Sequence, residues 1–120
     1  MDLATDKGVA TMVAFQDGTV SLYLSGGGAI LGLGDKEAVR ERAARFLEAT
    51  KSSRGQLSRA EGFSYPSPRH MAFYLVETPF TLSSGPIANQ DLQKAQHPLS
   101  GVADAAQDVL TEIRKASGSF

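Results

Sequence analysis

The stretch Val9-Ala10-Thr11-Met12-Val13-Ala14-Phe15-Gln16-Asp17-Gly18-Thr19-Val20-Ser21-Leu22-Tyr23-Leu24-Ser25 decides how the chain folds. Its two halves are rich in apolar, β-branched and aromatic residues, and Asp17-Gly18 stands between them as a turn signal. Asp-Gly suits a two-residue type I′ turn, because both central residues need positive φ. That turn sets Gln16 opposite Thr19, Phe15 opposite Val20, Val13 opposite Leu22 and Thr11 opposite Leu24. Opposed residues share a sheet face, so the expected core face is Val13, Phe15, Val20, Leu22 and Leu24. The reverse face then carries Ala10, Met12, Ala14, Ser21 and Tyr23. It is too apolar to be left bare, and calls for a helix or a second chain.

Downstream lies the most glycine-dense segment, Ser25-Gly26-Gly27-Gly28-Ala29-Ile30-Leu31-Gly32-Leu33-Gly34. Backbone N–H groups of such a loop can cradle a phosphate, but the known patterns fail. G-x-G-x-x-G read from Gly26 meets Leu31 at its last position, and read from Gly32 it meets Glu37. No glycine is followed by Lys-Ser or Lys-Thr, as a P-loop requires. The segment therefore reads as a turn at Gly26–Gly28 and a short strand, Ala29–Leu33.

Asp35 is the expected N-cap of a helix over Lys36–Thr50. Val39, Ala43, Phe46, Leu47 and Thr50 form one apolar stripe at helical spacing, and Leu57 is in phase with it. Gly62, Pro66 and Pro68 mark Ala60–Arg69 as a loop. His70–Glu77 then alternates Met71, Phe73 and Leu75 with Ala72, Tyr74 and Val76, which predicts a central strand apolar on both faces. Pro79 ends it, Phe80-Thr81-Leu82 is a further short strand, and Asn89–His97 is polar with one short helical piece. A last helix starts at Ser100, with Val102, Ala106, Val109, Leu110 and Ile113 on one face. Ser117–Phe120 is expected to fray. The whole is a single domain, residues 1–120. It is α+β, an antiparallel sheet of about five strands with two amphipathic helices in the order β-β-(β)-α-β-β-α.

Composition narrows the function. The 120 residues carry 12 Lys and Arg against 13 Asp and Glu, with no cysteine. A near-neutral chain has no global field for nucleic acid or an anionic membrane. Absence of cysteine removes disulfides, thiolate metal sites and thiol nucleophiles together. Lys36–His70 is locally basic, with eight basic residues against four acidic ones, and reads as a solvated helix face supported by the Glu41–Arg45 spacing. Met1–Lys7 is polar and mildly acidic, not a signal peptide, and no apolar run reaches a membrane span. The cytoplasm is the expected location.

Candidate chemistry is sparse. His70 and His97 lack a metal-ligand partner at i+4, and Ser83-Ser84-Gly85 lacks the nucleophile-elbow pattern. Asp104, Asp108 and Glu112 recur every four residues opposite an apolar stripe, as a solvated face does. No catalytic residue, metal site or cofactor is assigned.

The order of elements, with the hairpin Val9–Ser25 followed by an amphipathic helix, resembles profilin-like folds, particularly the roadblock/dynein-light-chain domains. That family usually carries a helix before its first strand, which Met1–Lys7 cannot supply. The segment Ser21–Ile30 also looks like one carried by small bacterial proteins of unknown function, and implies no catalytic residue. The expected function is a non-enzymatic protein-interaction module forming a homodimer, with Met12, Tyr23 and Tyr74 at the interface. The alternative is a small-molecule or nucleotide-binding protein, or an enzyme, that uses the glycine-rich segment Gly26–Gly34, with Gly26, Gly27 and Gly28 as ligand-binding residues beside Tyr23, Arg69 and His70.

Overall fold

A computed structural model describes residues 1–30, 32–60, 65–77 and 80–117. Expectations for Leu31, the loop residues Glu61 and Gly62, the strand break at Pro79 and the fraying of Gly118–Phe120 fall outside the described residues, while Ser117, expected to fray with them, is helical. The strands are β1 (Asp2–Thr5), β2 (Gly8–Ala14), β3 (Val20–Leu24), β4 (Ala29–Ile30) and β5 (Ser58–Arg59). After them come β6 (His70–Ala72), β7 (Tyr74–Glu77), β8 (Phe80–Ser83) and β9 (Ile87–Ala88). The helices are α1 (Glu37–Ser52), the single turn α2 (Asn89–Leu92) and α3 (Ser100–Ser117). The α+β class with antiparallel pairing stands, but with more than the five expected strands.

One six-stranded sheet runs β4-β3-β2-β1-β6-β9, and a three-stranded one runs β5-β8-β7. They meet at a bulge. Met71 pairs with Ile87 and Tyr74 with Ser83, so two residues of one strand oppose Ser84, Gly85 and Pro86 of the other. The Phe73 N–H donates to Ser84 Oγ at 2.9 Å, and the Ser84 N–H donates to the Phe73 carbonyl at 3.0 Å. The segment His70–Glu77 is thus one strand in two parts: β6 is interior, between β1 and β9, whereas β7 pairs with β8 alone and forms an edge with Val76 exposed, so the expected central strand holds only for His70–Ala72.

The first hairpin corrects the expected register. Ala14 opposes Val20, Met12 opposes Leu22 and Ala10 opposes Leu24. The loop is three residues, Gln16-Asp17-Gly18. The Gly18 N–H donates to the Phe15 carbonyl at 3.1 Å, and the Phe15 N–H donates to the Thr19 carbonyl at 2.9 Å. That is a type I turn followed by a glycine bulge, with φ +93° at Gly18 and no positive φ at Asp17. One extra loop residue shifts the pairing by one and turns the side chains of β2 to the opposite face, while Val20 and Leu22 of β3 keep the expected one. Met12, Val20 and Leu22 are therefore in the core, whereas Phe15 is 52% exposed and Tyr23 46%. The expected core positions Val13 and Phe15 lie outside it.

The strand at Asp2–Thr5 was not legible in the sequence, yet it is central, pairing with β2 on one side and β6 on the other. Asp35 is not the cap of α1. It closes a 3₁₀ turn, Leu33–Asp35, and Lys36 precedes the helix without a side-chain cap. The fourth strand comprises Ala29–Ile30, and Leu33 of the expected strand falls in that turn. Of the expected stripes, Val39, Ala43, Phe46 and Thr50 are buried and Leu47 is only half-buried, while Val102, Ala106, Val109, Leu110 and Ile113 are all buried. Both helices share a single core with the strand residues that point to one side, among them Met12, Leu22, Met71, Phe73 and Leu75. The fold has two layers, and both long helices lie on the same face of the sheet.

The register makes a direct prediction for stability. Leu22→Ala should cost about 2–5 kcal/mol, the range for truncating a fully buried leucine. Phe15→Ala should cost no more than about 1 kcal/mol, as at partly exposed positions. Urea unfolding of the two variants measures this, and equal losses would mean the faces are assigned the wrong way round.

Candidate functional site

The residues proposed to hold a ligand do not converge. Gly26 and Gly27 belong to a second three-residue loop, Ser25-Gly26-Gly27, built like the first. The Gly27 N–H donates to the Leu24 carbonyl at 3.0 Å, and the Leu24 N–H donates to the Gly28 carbonyl at 3.1 Å. Positive φ at Gly27 and Gly28 accounts for glycine there. A Cβ at Gly26, Gly27 or Gly28 would meet no atom within 4 Å, so nothing closes around these backbones. Arg69 and His70 enter β6, separated from β3 by β2 and β1, which is about 14 Å across the sheet.

Arg69 and His70 are engaged locally. Arg69 has φ +66°, its N–H donates to the Ala4 carbonyl at 3.0 Å, and its carbonyl accepts from the Asn89 N–H at 2.8 Å. His70 Nδ1 lies 2.9 Å from the Pro68 carbonyl. The second histidine, His97, accepts the Leu99 N–H on Nδ1 at 3.0 Å and so helps to start α3. Asp104 and Asp108 are exposed, and Glu112 pairs with Lys115 at 3.5 Å. Among the described residues no three His, Cys, Asp or Glu side chains could hold a metal ion.

Two open grooves are lined by described residues. One of about 380 Å³ lies between the start of α1 and the end of α3, among Asp35, Lys36, Glu37, Glu112 and Lys115. The other, about 170 Å³, lies between the Gln16–Gly18 turn and Arg40, Ala43 and Leu47 of α1. Neither includes a residue singled out from the sequence as ligand-binding.

A continuous feature does emerge on the outer sheet face, away from the helices. Tyr23, Thr11, Asp2 and Ala72 stand directly opposite one another across four strands. Tyr74, two residues beyond Ala72, shares their side. Val9, Val13 and Tyr74 are half-buried, and Val76 is exposed. Within this face Ala72 and Asp2 are buried, as are the neighbouring Ala4 and Ser21, whereas Tyr23 and Val76 are exposed. Of the three expected interface residues, Tyr23 and Tyr74 are on this face. Met12 is not: it is 1% exposed within the core, because the register turns it inward.

Electrostatics are concentrated at the start of β1. Asp2 is buried, and Thr11 Oγ1 donates to its Oδ1 at 2.6 Å. The Met1 amino group donates to the Met12 carbonyl at 2.9 Å, and burial lowers its pKa to about 6 despite the opposing charge of Asp2. Desolvation, then the Asp2 charge, raises the Tyr74 phenol, with a hydrogen bond to Ser83 acting the other way. Compared with family models, curated proteins and solved structures, the chain has no match.

The glycine geometry predicts that Gly27→Ala costs about 1–2 kcal/mol in the protein alone, the penalty for a side chain in left-handed backbone. Gly26→Ala, free of that constraint, should be within about 0.5 kcal/mol of neutral. Thermal melts without added ligand check this, and equal effects would deny the turn its conformational role.

The buried amine predicts a pH dependence. Its folded pKa lies below its ordinary value of 8.0, so below pH 6 both states are protonated and the burial cost is in full force. Between pH 6 and 8 the unfolded chain holds the proton and the folded one does not. The unfolding free energy of the 120-residue chain should therefore rise with pH, by on the order of 2–3 kcal/mol across that window. Denaturant titrations at pH 6, 7 and 8 measure it, and a flat or falling profile would contradict the amine's burial.

Proposed function

We propose that this chain is a non-enzymatic protein-interaction module that forms a homodimer through its outer sheet face. The observation that carries the reading is the placement of both long helices on the opposite face. Their stripes cover Met12, Leu22, Phe73 and Leu75, while Tyr23, Tyr74, Val13 and Val76 stay outside the core. A soluble monomer rarely leaves a contiguous apolar and aromatic surface bare, and such surfaces mark interfaces. A second copy is the simplest occupant, since twofold homodimers are the commonest closed assemblies.

The sheet edges support the face as the contact. Of the edge strands, β4, β5 and β9 are two residues each and β7 is four, which offers a pairing partner few backbone hydrogen bonds. The small-molecule alternative would need the Gly26–Gly28 turn and Arg69-His70 to meet, and three inter-strand spacings lie between them.

Light scattering across a concentration series tests the reading. The mass should rise from the 12.7 kDa of one chain toward twice that value. Tyr23→Glu should hold it at one chain with the far-UV circular dichroism unchanged. A mass fixed at one chain throughout would reject the homodimer.

A further inference from the structure

Met1 and Met12 exchange both of their backbone hydrogen bonds. The Met1 amino group donates to the Met12 carbonyl at 2.9 Å, and the Met12 N–H donates to the Met1 carbonyl at 2.9 Å. The first residue is thus a further rung of the β1–β2 ladder, one step beyond Asp2 opposite Thr11. Its side chain is 6% exposed and belongs to the core cluster with Met12, Leu22 and Phe73. A protonated amine has three N–H donors, and the acceptor it finds among the described residues is the Met12 carbonyl. The neutral amine has two donors and a lone pair. Losing the proton therefore removes a buried charge and, with it, a donor left without an acceptor.

The surroundings do little to hold that charge. Asp2 is the one charged side chain among the buried described residues, and it favours the ammonium, but desolvation outweighs it. The Tyr74 phenol of β7 responds to the Asp2 charge. From β2 the amine meets the uncharged Met12, and the residues that α1 and α3 bury are apolar apart from Thr50. Asp2 and Leu3 are held on two sides, by β2 and β6, whereas both bonds that hold Met1 come from Met12. We infer that this rung is a pH-gated latch: protonation of the Met1 amine releases the first residue from β2 and from the core while the rest of the sheet stays folded. Release breaks two hydrogen bonds and withdraws one side chain, a local opening that needs far less free energy than global unfolding. Its direction follows from an amine at 8.0 when released and at about 6 when docked. Docking is weakest below pH 6, where the docked amine stays charged, and reaches full strength above pH 8. The latch goes beyond the homodimer reading and does not depend on it.

Hydrogen exchange of the full chain, followed amide by amide by NMR, tests the latch, because the Met1 carbonyl is what protects the Met12 N–H. With the amine at about 6 docked and 8.0 released, opening should be about 25-fold more favourable at pH 6 than at pH 8. Met12 protection, corrected for the intrinsic exchange rate, should fall by that factor. The Asn89 amide, bonded to the Arg69 carbonyl at 2.8 Å in another part of the sheet, should keep its protection. Equal Met12 protection at the two pH values overturns the latch. So does an equal fall at Asn89, which would mark global unfolding instead. The Nα-acetylated chain identifies the titrating group: it carries no amine charge, so its Met12 protection should be the same at pH 6 and pH 8. A fall that persists after acetylation assigns the effect to another group and overturns the proposal.

Discussion

The left-handed backbone at Gly18 is the constraint on which the rest of the sheet depends. It lets the first hairpin close through three loop residues, with the Asp17 carboxylate accepting the Thr19 N–H at 2.9 Å. A hydrogen bond with the Thr19 side chain, and then this one with its backbone, hold the Asp17 carboxyl below its ordinary pKa. Because side chains alternate along a strand, the loop's length decides which set points inward. Here it is Met12, Val20 and Leu22, and α1 and α3 pack on them. A loop one residue shorter would put Phe15 and Val13 there instead, and expose Met12.

The second strand of that hairpin ends in a loop of the same construction, with Gly27 in the role of Gly18. The glycine run is thus a repeat of one turn design rather than a phosphate cradle. Its conformational demand and the lack of any enclosing atoms both follow from being a hairpin tip. The two hairpin turns fix three adjacent strands in one register, and so place Tyr23 and Thr11 beside Asp2 on the face without helices.

Elsewhere the lower sheet is held by different means. Arg54 donates from Nε to Glu77 Oε1 at 2.7 Å and from Nη2 to Oε2 at 3.0 Å, tying the chain after α1 to the end of β7. Arg59 lies 4.2 Å over the Phe80 ring. These are exposed contacts, screened by water, and they orient β5, β7 and β8 rather than drive their folding. The driving contribution comes from inside, where Phe46 of α1 meets Phe73 between β6 and β7 with ring centroids 6.4 Å apart.

From sequence alone the helices were legible, since a stripe recurring at 3.6 residues specifies both the element and its buried side without reference to anything distant. The interior position of His70–Ala72 was legible from its apolar residues on both faces, but Tyr74–Glu77, apolar in the same way, is an edge strand with Val76 exposed. The turn positions at Asp17-Gly18 and Gly26–Gly28 were legible too, because glycine marks positive φ. What local pattern could not supply was the number of residues in the first loop, since Asp-Gly serves a two-residue and a three-residue turn alike. Met12 and Phe15 exchanged roles on that ambiguity. Nor could it show β1, whose four residues include Asp2 and Thr5 and acquire strand character only by pairing with β2 and β6. The candidate face depends on both, so its composition was decided by tertiary structure. Which side of a sheet is left bare is a property of how helices pack across it, and no single segment encodes that.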